Sequence, residues 1–332
     1  MLRSDAISST GAGQPLRLSP MVRLGLILLV AIGLIAIFMT IESRGNWDFV
    51  LPFRGRKVAA IVVVGVSIAV STVTFQTITG NRILTPSIMG FDALYMLIQT
   101  IAVFSVGGAR LLQTDPELRF LIDVVVMVLL SGVLYWWLFI KANRTLHLLV
   151  LIGIIIGILF RSVTGLLQRM IDPTDFAVLQ DTSFASFNSV DPTLVGISAG
   201  IVLVLVMVVA WRNRILDAMT LGRDASISIG VEYQREVMIV LAMTSVLVSV
   251  STALVGPITF FGLLVAHLAY TTVGSASHRF LIPAASLYAV IFLLGGQLLL
   301  ERVFNFNSSL SVMVEFAGGL LFIFLLLKGS SK

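Results

Sequence analysis

Runs of about 20 apolar residues recur along this chain, and that recurrence leaves few choices of fold. A helix needs about 20 such residues to cross a ~30 Å hydrocarbon layer, where no water is present to satisfy the backbone. Strong runs lie at 21–41, 58–78, 120–140, 146–167, 194–211, 237–255, 281–300 and 310–327. Two weaker runs lie at 87–106, which holds Asp92 and Gln99, and at 258–272, which is short for a perpendicular crossing. Together they predict an all-α integral membrane protein of about ten transmembrane helices, forming one domain over 21–328. Composition agrees: 58% of the 332 residues are hydrophobic and 12% charged, with a mean hydropathy of +1.03. A soluble domain carries about a quarter charged residues.

Charge sets an expected orientation. With ten spans and a cytoplasmic N-terminus, Lys141, Arg144, Arg212, Arg214, Arg223, Lys328 and Lys332 fall inside, as the positive-inside rule asks, and both termini are cytoplasmic. Asp172, Asp175, Asp181 and Asp191 gather between spans five and six, on the outside. The net charge of +5 sits in clusters flanking apolar runs, not along one face, which argues for a membrane border and against nucleic acid. There is no cysteine, so disulfides, thiolate metal sites and cysteine nucleophiles are excluded. His147, His267 and His278 show no metal-ligand spacing. Residues 1–20, polar and rich in Ser, Gly and Pro, are expected as a disordered cytoplasmic lead-in, and 329–332 as a cytoplasmic tail. The run 21–41 is too long for a signal-peptide core and is expected to remain as a helix. Ten spans divide into two fives, and an odd number per half would make the halves inverted in topology.

One polar stretch stands apart. Residues 215–231, ILDAMTLGRDASISIGV, lie between two strong spans on the expected inside. Gly222 and Gly230 punctuate them, which predicts one or two short helices broken by turns. Leu216, Met219 and Leu221 are apolar among charges. The chain has no G-x-x-x-x-G-K-[ST] loop to cradle phosphate, so the run Leu294-Gly295-Gly296-Gln297, buried in an apolar span, is a chance likeness to an ATPase signature. A motorless membrane protein with an amphipathic cytoplasmic elbow is suited to docking another protein. An interfacial helix lying on lipid shows the same spacing.

The pattern Leu216-x-x-Met219-x-Leu221-Gly222-x-x-Ala225-x-x-x-Ile229-Gly230 resembles the coupling loop of the FecCD family, the permeases of ABC importers for iron-siderophores, haem and vitamin B12. Two further blocks agree in order. Gln76, Asn81, Pro86 and Gly90 look like the family's second helix and its following turn, with Arg82 and Ile83 replacing an N-P-L core. GPITFFGLLVAH at 256–267, followed by Ser277-His278-Arg279, resembles G-x-I-x-F-x-G-L-x-x-P-H and D-H-R, with Ala266 in place of proline. The wording at 85–95 and the ending SVMVEFAGGLLFIFLLLK are similar to one branch, the second permease subunit of importers for ferric catecholate siderophores of the petrobactin, vibriobactin and anguibactin kind.

That resemblance implies a type II ABC importer permease in the bacterial inner membrane, with no catalysis, covalent cofactor or metal ligand of its own. ATP-Mg would be used by a cytoplasmic ATPase dimer that grips Leu216, Met219, Leu221, Gly222, Ala225, Ile229 and Gly230. A second permease chain would complete the pore, a different one in a heterodimer or a second copy in a homodimer. An extracytoplasmic siderophore-binding protein would deliver the ferric chelate by placing glutamates on Arg54, Arg56 and Lys57, with Arg302 as a further docking cation. Basic residues snorkelling to headgroups fit the same positions. Ser71, Thr72 and Gln76 of span two and Ser249 of span seven would line a path for a polar chelate. Small residues serve close helix packing equally well, as in Gly153-x-x-x-Gly157. A competing class is an ion-coupled secondary transporter using Asp92 or Glu315, since a carboxyl inside a span is costly.

Overall fold

The computed structural model describes residues 19–41, 47–137, 146–188, 190–304 and 309–329. Of the expected lead-in at 1–20 and tail at 329–332, residues 1–18 and 330–332 lie outside the described residues, while Pro20 opens a helix and Gly329 closes one. Among those described there is no strand. The helices are α1 (Pro20–Thr40), α2 (Trp47–Thr79), α3 (Phe91–Val106), α4 (Gly108–Gln113), α5 (Pro116–Tyr135), α6 (Leu146–Gln168), α7 (Pro173–Thr182) and α8 (Pro192–Trp211). They continue with α9 (Asn213–Met219), α10 (Arg223–Ser228), α11 (Tyr233–Val255), α12 (Phe261–Val273), α13 (His278–Arg302) and α14 (Leu310–Gly329).

Seven of these, α1, α2, α5, α6, α8, α11 and α13, are long and apolar enough to cross a bilayer. The two runs that read as weak are the shorter apolar helices α3 and α12, of 16 and 13 residues. Each follows an interruption. The chain leaves α2 at Thr79, makes a single 3-10 turn at Pro86–Met89, and re-enters helix through Gly90, whose φ of +97° a side chain would resist. Gly256, at φ +98°, likewise ends α11 five residues before α12 begins.

Local chemistry fixes the helix starts. Asp115 and Asp191 accept hydrogen bonds from the backbone N–H groups of Glu117 (2.9 Å) and Thr193 (2.7 Å), and proline follows each as the first helical residue. Burial then sorts the helices by depth. In α2 and α11, 72% of the apolar window is buried, against 17% in α1 and 22% in α6, so the first pair forms the centre and the second faces the surroundings. The helices α2 and α13 run side by side, and Gly65 lets them close up: a Cβ there would lie 3.2 Å from that of Ala289. On the other flank α3 packs on α6 at Gly90 and Gly157.

Candidate functional site: a helical elbow and its anchorage

The stretch 215–231 folds as two short helices, α9 and α10, between the surface-lying ends of α8 and α11. Gly222 and Gly230 adopt φ of +92° and +91°, which explains their identity, because a Cβ disfavours that region. The Ser226 hydroxyl contacts the carbonyls of Gly222 (2.6 Å) and Ala218 (3.0 Å), so the two helices form one rigid corner.

The apolar residues of this corner do not share one face. Leu216 and Met219 are only 1% and 2% exposed and plug the elbow into the bundle. Leu221 and Ile229 are 64% and 59% exposed, and Ile227, which the sequence reading passed over, is 50% exposed. Ala225, Gly222 and Gly230 are on the exposed side as well. The expectation that Leu216 and Met219 meet a partner is therefore corrected: they hold the corner in place, and Leu221, Ile227 and Ile229 form its outward surface. The missed signal was Ile227, two residues from Ile229 across a short helix end.

A polar chain anchors the elbow. Asp217, on α9, accepts from the backbone N–H of His278 (2.8 Å) and from the Ser277 hydroxyl (2.8 Å), while the His278 ring Nδ1–H donates to it at 2.6 Å. Burial pushes the Asp217 carboxyl up, but the bonds from the His278 backbone, the His278 ring and Ser277 outweigh it and hold the group below its ordinary 3.8. The other ring nitrogen, Nε2, meets the Thr77 hydroxyl of α2 at 2.6 Å. Beside the elbow, Arg212 at the end of α8 pairs with Glu236 at the start of α11.

At the opposite end lie the four cations expected to dock a partner. Arg56 is exposed and Arg302 half-buried. Arg54 turns back onto α1, donating to the carbonyls of Phe38 (2.8 Å) and Ile41 (2.6 Å). Lys57 is 5% exposed and pairs with Glu301 of α13 at 2.8 Å. Gln297 donates to the same Glu301 oxygen (2.8 Å) and to Asn188 (3.0 Å). A surface role for Lys57 is thus corrected, because its ammonium is spent inside the bundle.

The residues expected along a path are interior too. Ser71, Thr72, Gln76 and Ser249 are at most 2% exposed. Ser71 contacts the Ile68 carbonyl at 3.1 Å, and Thr74 and Thr79 bond carbonyls four residues back. Gln76 donates to the Arg82 carbonyl (2.7 Å), steadying the segment after α2. Ser71 and Thr72 border a cavity of about 20 Å³, shared with Thr85, Asp92 and Thr259. That is room for about one water, not a chelate. All four lie inside the bundle of this chain. The carboxyls of the competing carrier reading are linked to one hydroxyl: Thr259 donates to Glu315 at 3.3 Å and neighbours Asp92, which is buried.

A helical bundle of this kind, with interrupted helices inside and an anchored elbow outside, defines a polytopic membrane protein of the permease class. The chain belongs to the FecCD transport family, whose profile matches residues 21–328. It is 46% identical to the petrobactin import system permease protein YclO of Bacillus subtilis, over 92% of this chain and 97% of that one. It is 35% identical to the petrobactin import system permease protein FatC of Bacillus anthracis, over 91% of this chain and 88% of the other. Its fold matches a metal-chelate type ABC transporter solved in an inward-facing conformation, with a TM-score of 0.80 at 20% identity, covering 93% of this chain and all of that one.

Proposed function

We propose that this chain is one permease subunit of an ABC importer that moves a ferric siderophore, of the petrobactin class, into the bacterial cytoplasm by alternating access. Ten spans in two inverted halves of five put both termini and the elbow on the cytoplasmic side. A dimer of ATPase subunits, which uses ATP-Mg, grips the elbow, and a second, different permease chain completes the pore. A siderophore-binding protein docks at the opposite end, with Arg56 and Arg302 facing it and Arg54 and Lys57 bracing α1 and α13 beneath. Iron stays wrapped in its chelator, so the permease needs no ligand to the metal.

The observation that carries this reading is the outward apolar trio Leu221, Ile227 and Ile229 on a corner that Leu216 and Met219 plug into the bundle. An exposed apolar knob on a rigid, glycine-bounded mount is the shape of an anchor that enters a pocket on a partner. Leu221→Glu with Ile227→Glu is expected to strip the ATPase from the purified complex and to stop uptake, with normal amounts of permease in the membrane. Loss of one buried apolar anchor costs about 2 kcal/mol or more of binding, roughly thirtyfold in affinity. An ATPase that still co-purifies, with uptake intact, removes the coupling role. Met219→Glu is a different experiment, since it puts charge into the bundle and lowers the yield of folded protein.

A further inference from the structure

The anchorage of the elbow has an unusual division of labour. Ser277 occupies the cap position of α13, yet its side chain makes no cap bond to its own helix. Its hydroxyl goes to Asp217 instead, and the Asp217 carboxylate, from another element, accepts the first backbone N–H of α13. A carboxylate at a helix N-terminus satisfies an otherwise orphaned donor and suits the helix dipole. His278, 1% exposed, then continues the chain to Thr77 of α2. Because these bonds cross between elements, α9 cannot move away from α13 without uncapping it and leaving a buried imidazole without its carboxylate, and that imidazole in turn holds α2. The same two helices, α2 and α13, are joined again at their far ends by Lys57 and Glu301.

We propose that Asp217, His278 and Thr77 form the joint that passes displacement of the elbow into α13 and α2, which makes them positioning residues for coupled transport and not contacts to the ATPase. This rests on the elbow being the ATPase-coupling element.

The test uses the whole importer, both permease chains with ATPase and binding protein, in proteoliposomes, with radio-iron on petrobactin as the probe. Thr77→Val keeps the side chain's shape and loses only the hydroxyl, and Asp217→Asn keeps the shape and loses the charge. Both are expected to retain bound ATPase but to deliver about tenfold less iron per ATP hydrolysed, the scale of one buried hydrogen bond. Thr77→Ser restores the hydroxyl and is expected to restore the ratio. Two results overturn the joint: wild-type iron per ATP in both variants, or loss of the ATPase from Thr77→Val, which would make the bonds a support for the elbow's shape alone. Failure of the underlying reading is seen separately, as normal ATPase capture and uptake in Leu221→Glu.

Discussion

Gly90 and Gly157 meet backbone to backbone. A Cβ on Gly90 would lie 2.8 Å from the Gly157 Cα, and one on Gly157 would lie 2.9 Å from the Gly90 Cα. Neither neighbour can swing aside, because both are main chain. Gly157→Ala is therefore expected to destabilise the fold by about 1–3 kcal/mol, the usual cost of overpacking, read as a lower melting temperature in detergent. Gly165, with nothing near its Cβ, is the control whose alanine variant should melt at or slightly above the wild type, since alanine favours a helix interior. The depressed carboxyl of Asp217 fixes the sign of a pH effect. Its bonds contribute in full above the ordinary carboxylate value and are lost as pH falls through the lower value of the folded state. Wild type and Asp217→Asn should thus differ in melting temperature at neutral pH, by a margin that starts to shrink below about pH 4 and closes only once pH has passed the lower value of the folded state. Individual residues of the elbow were legible in sequence as a set, but their direction was not. Spacing shows that Leu216 and Leu221 are apolar among charges; which one points at lipid, bundle or partner depends on the angle of the corner, and two glycines at positive φ set that angle.

At the scale of elements, α2 and α13 are the pair that decides most. Lys57 and Glu301 join them with side chains only 6% and 14% exposed. Removing one partner of such a pair strands the other: Glu301→Gln should cost about 3–5 kcal/mol, whereas Lys57→Met with Glu301→Leu together should recover most of the loss. Thermal melting of wild type, Lys57→Met, Glu301→Leu and the double variant forms the cycle that checks it. Sequence alone read Lys57 as a surface cation, since it precedes an apolar run as snorkelling and docking residues do. What hid its partner is distance along the chain, with Glu301 at the far end of another helix. The dense Ser and Thr of α2 left two readings open for a related reason. Hydroxyls that fold back on their own helix leave the same composition as hydroxyls that line water, and only the packing of α11 and α13 around α2 separates the two.

For the molecule as a whole, the class was legible early. Apolar length alone fixed a helical membrane bundle, because the bilayer leaves the backbone no other way to bond itself. The positions of α3 and α12 were visible as weak runs, and their weakness was informative: these are the helices that begin after a break. The joint at Asp217 was out of reach, because a carboxylate that caps a helix some 60 residues on carries no local signature.

The two interruptions, before α3 and before α12, have a mechanical meaning. Backbone that has already left its helical ladder can be re-angled without breaking one. By contrast α2 and α13, fastened at one end through an imidazole and at the other through an ammonium, resist being sheared past each other. A push delivered at the elbow should travel along that doubled shaft to its other end with little loss, while the broken segments beside it act as hinges and absorb the change in tilt.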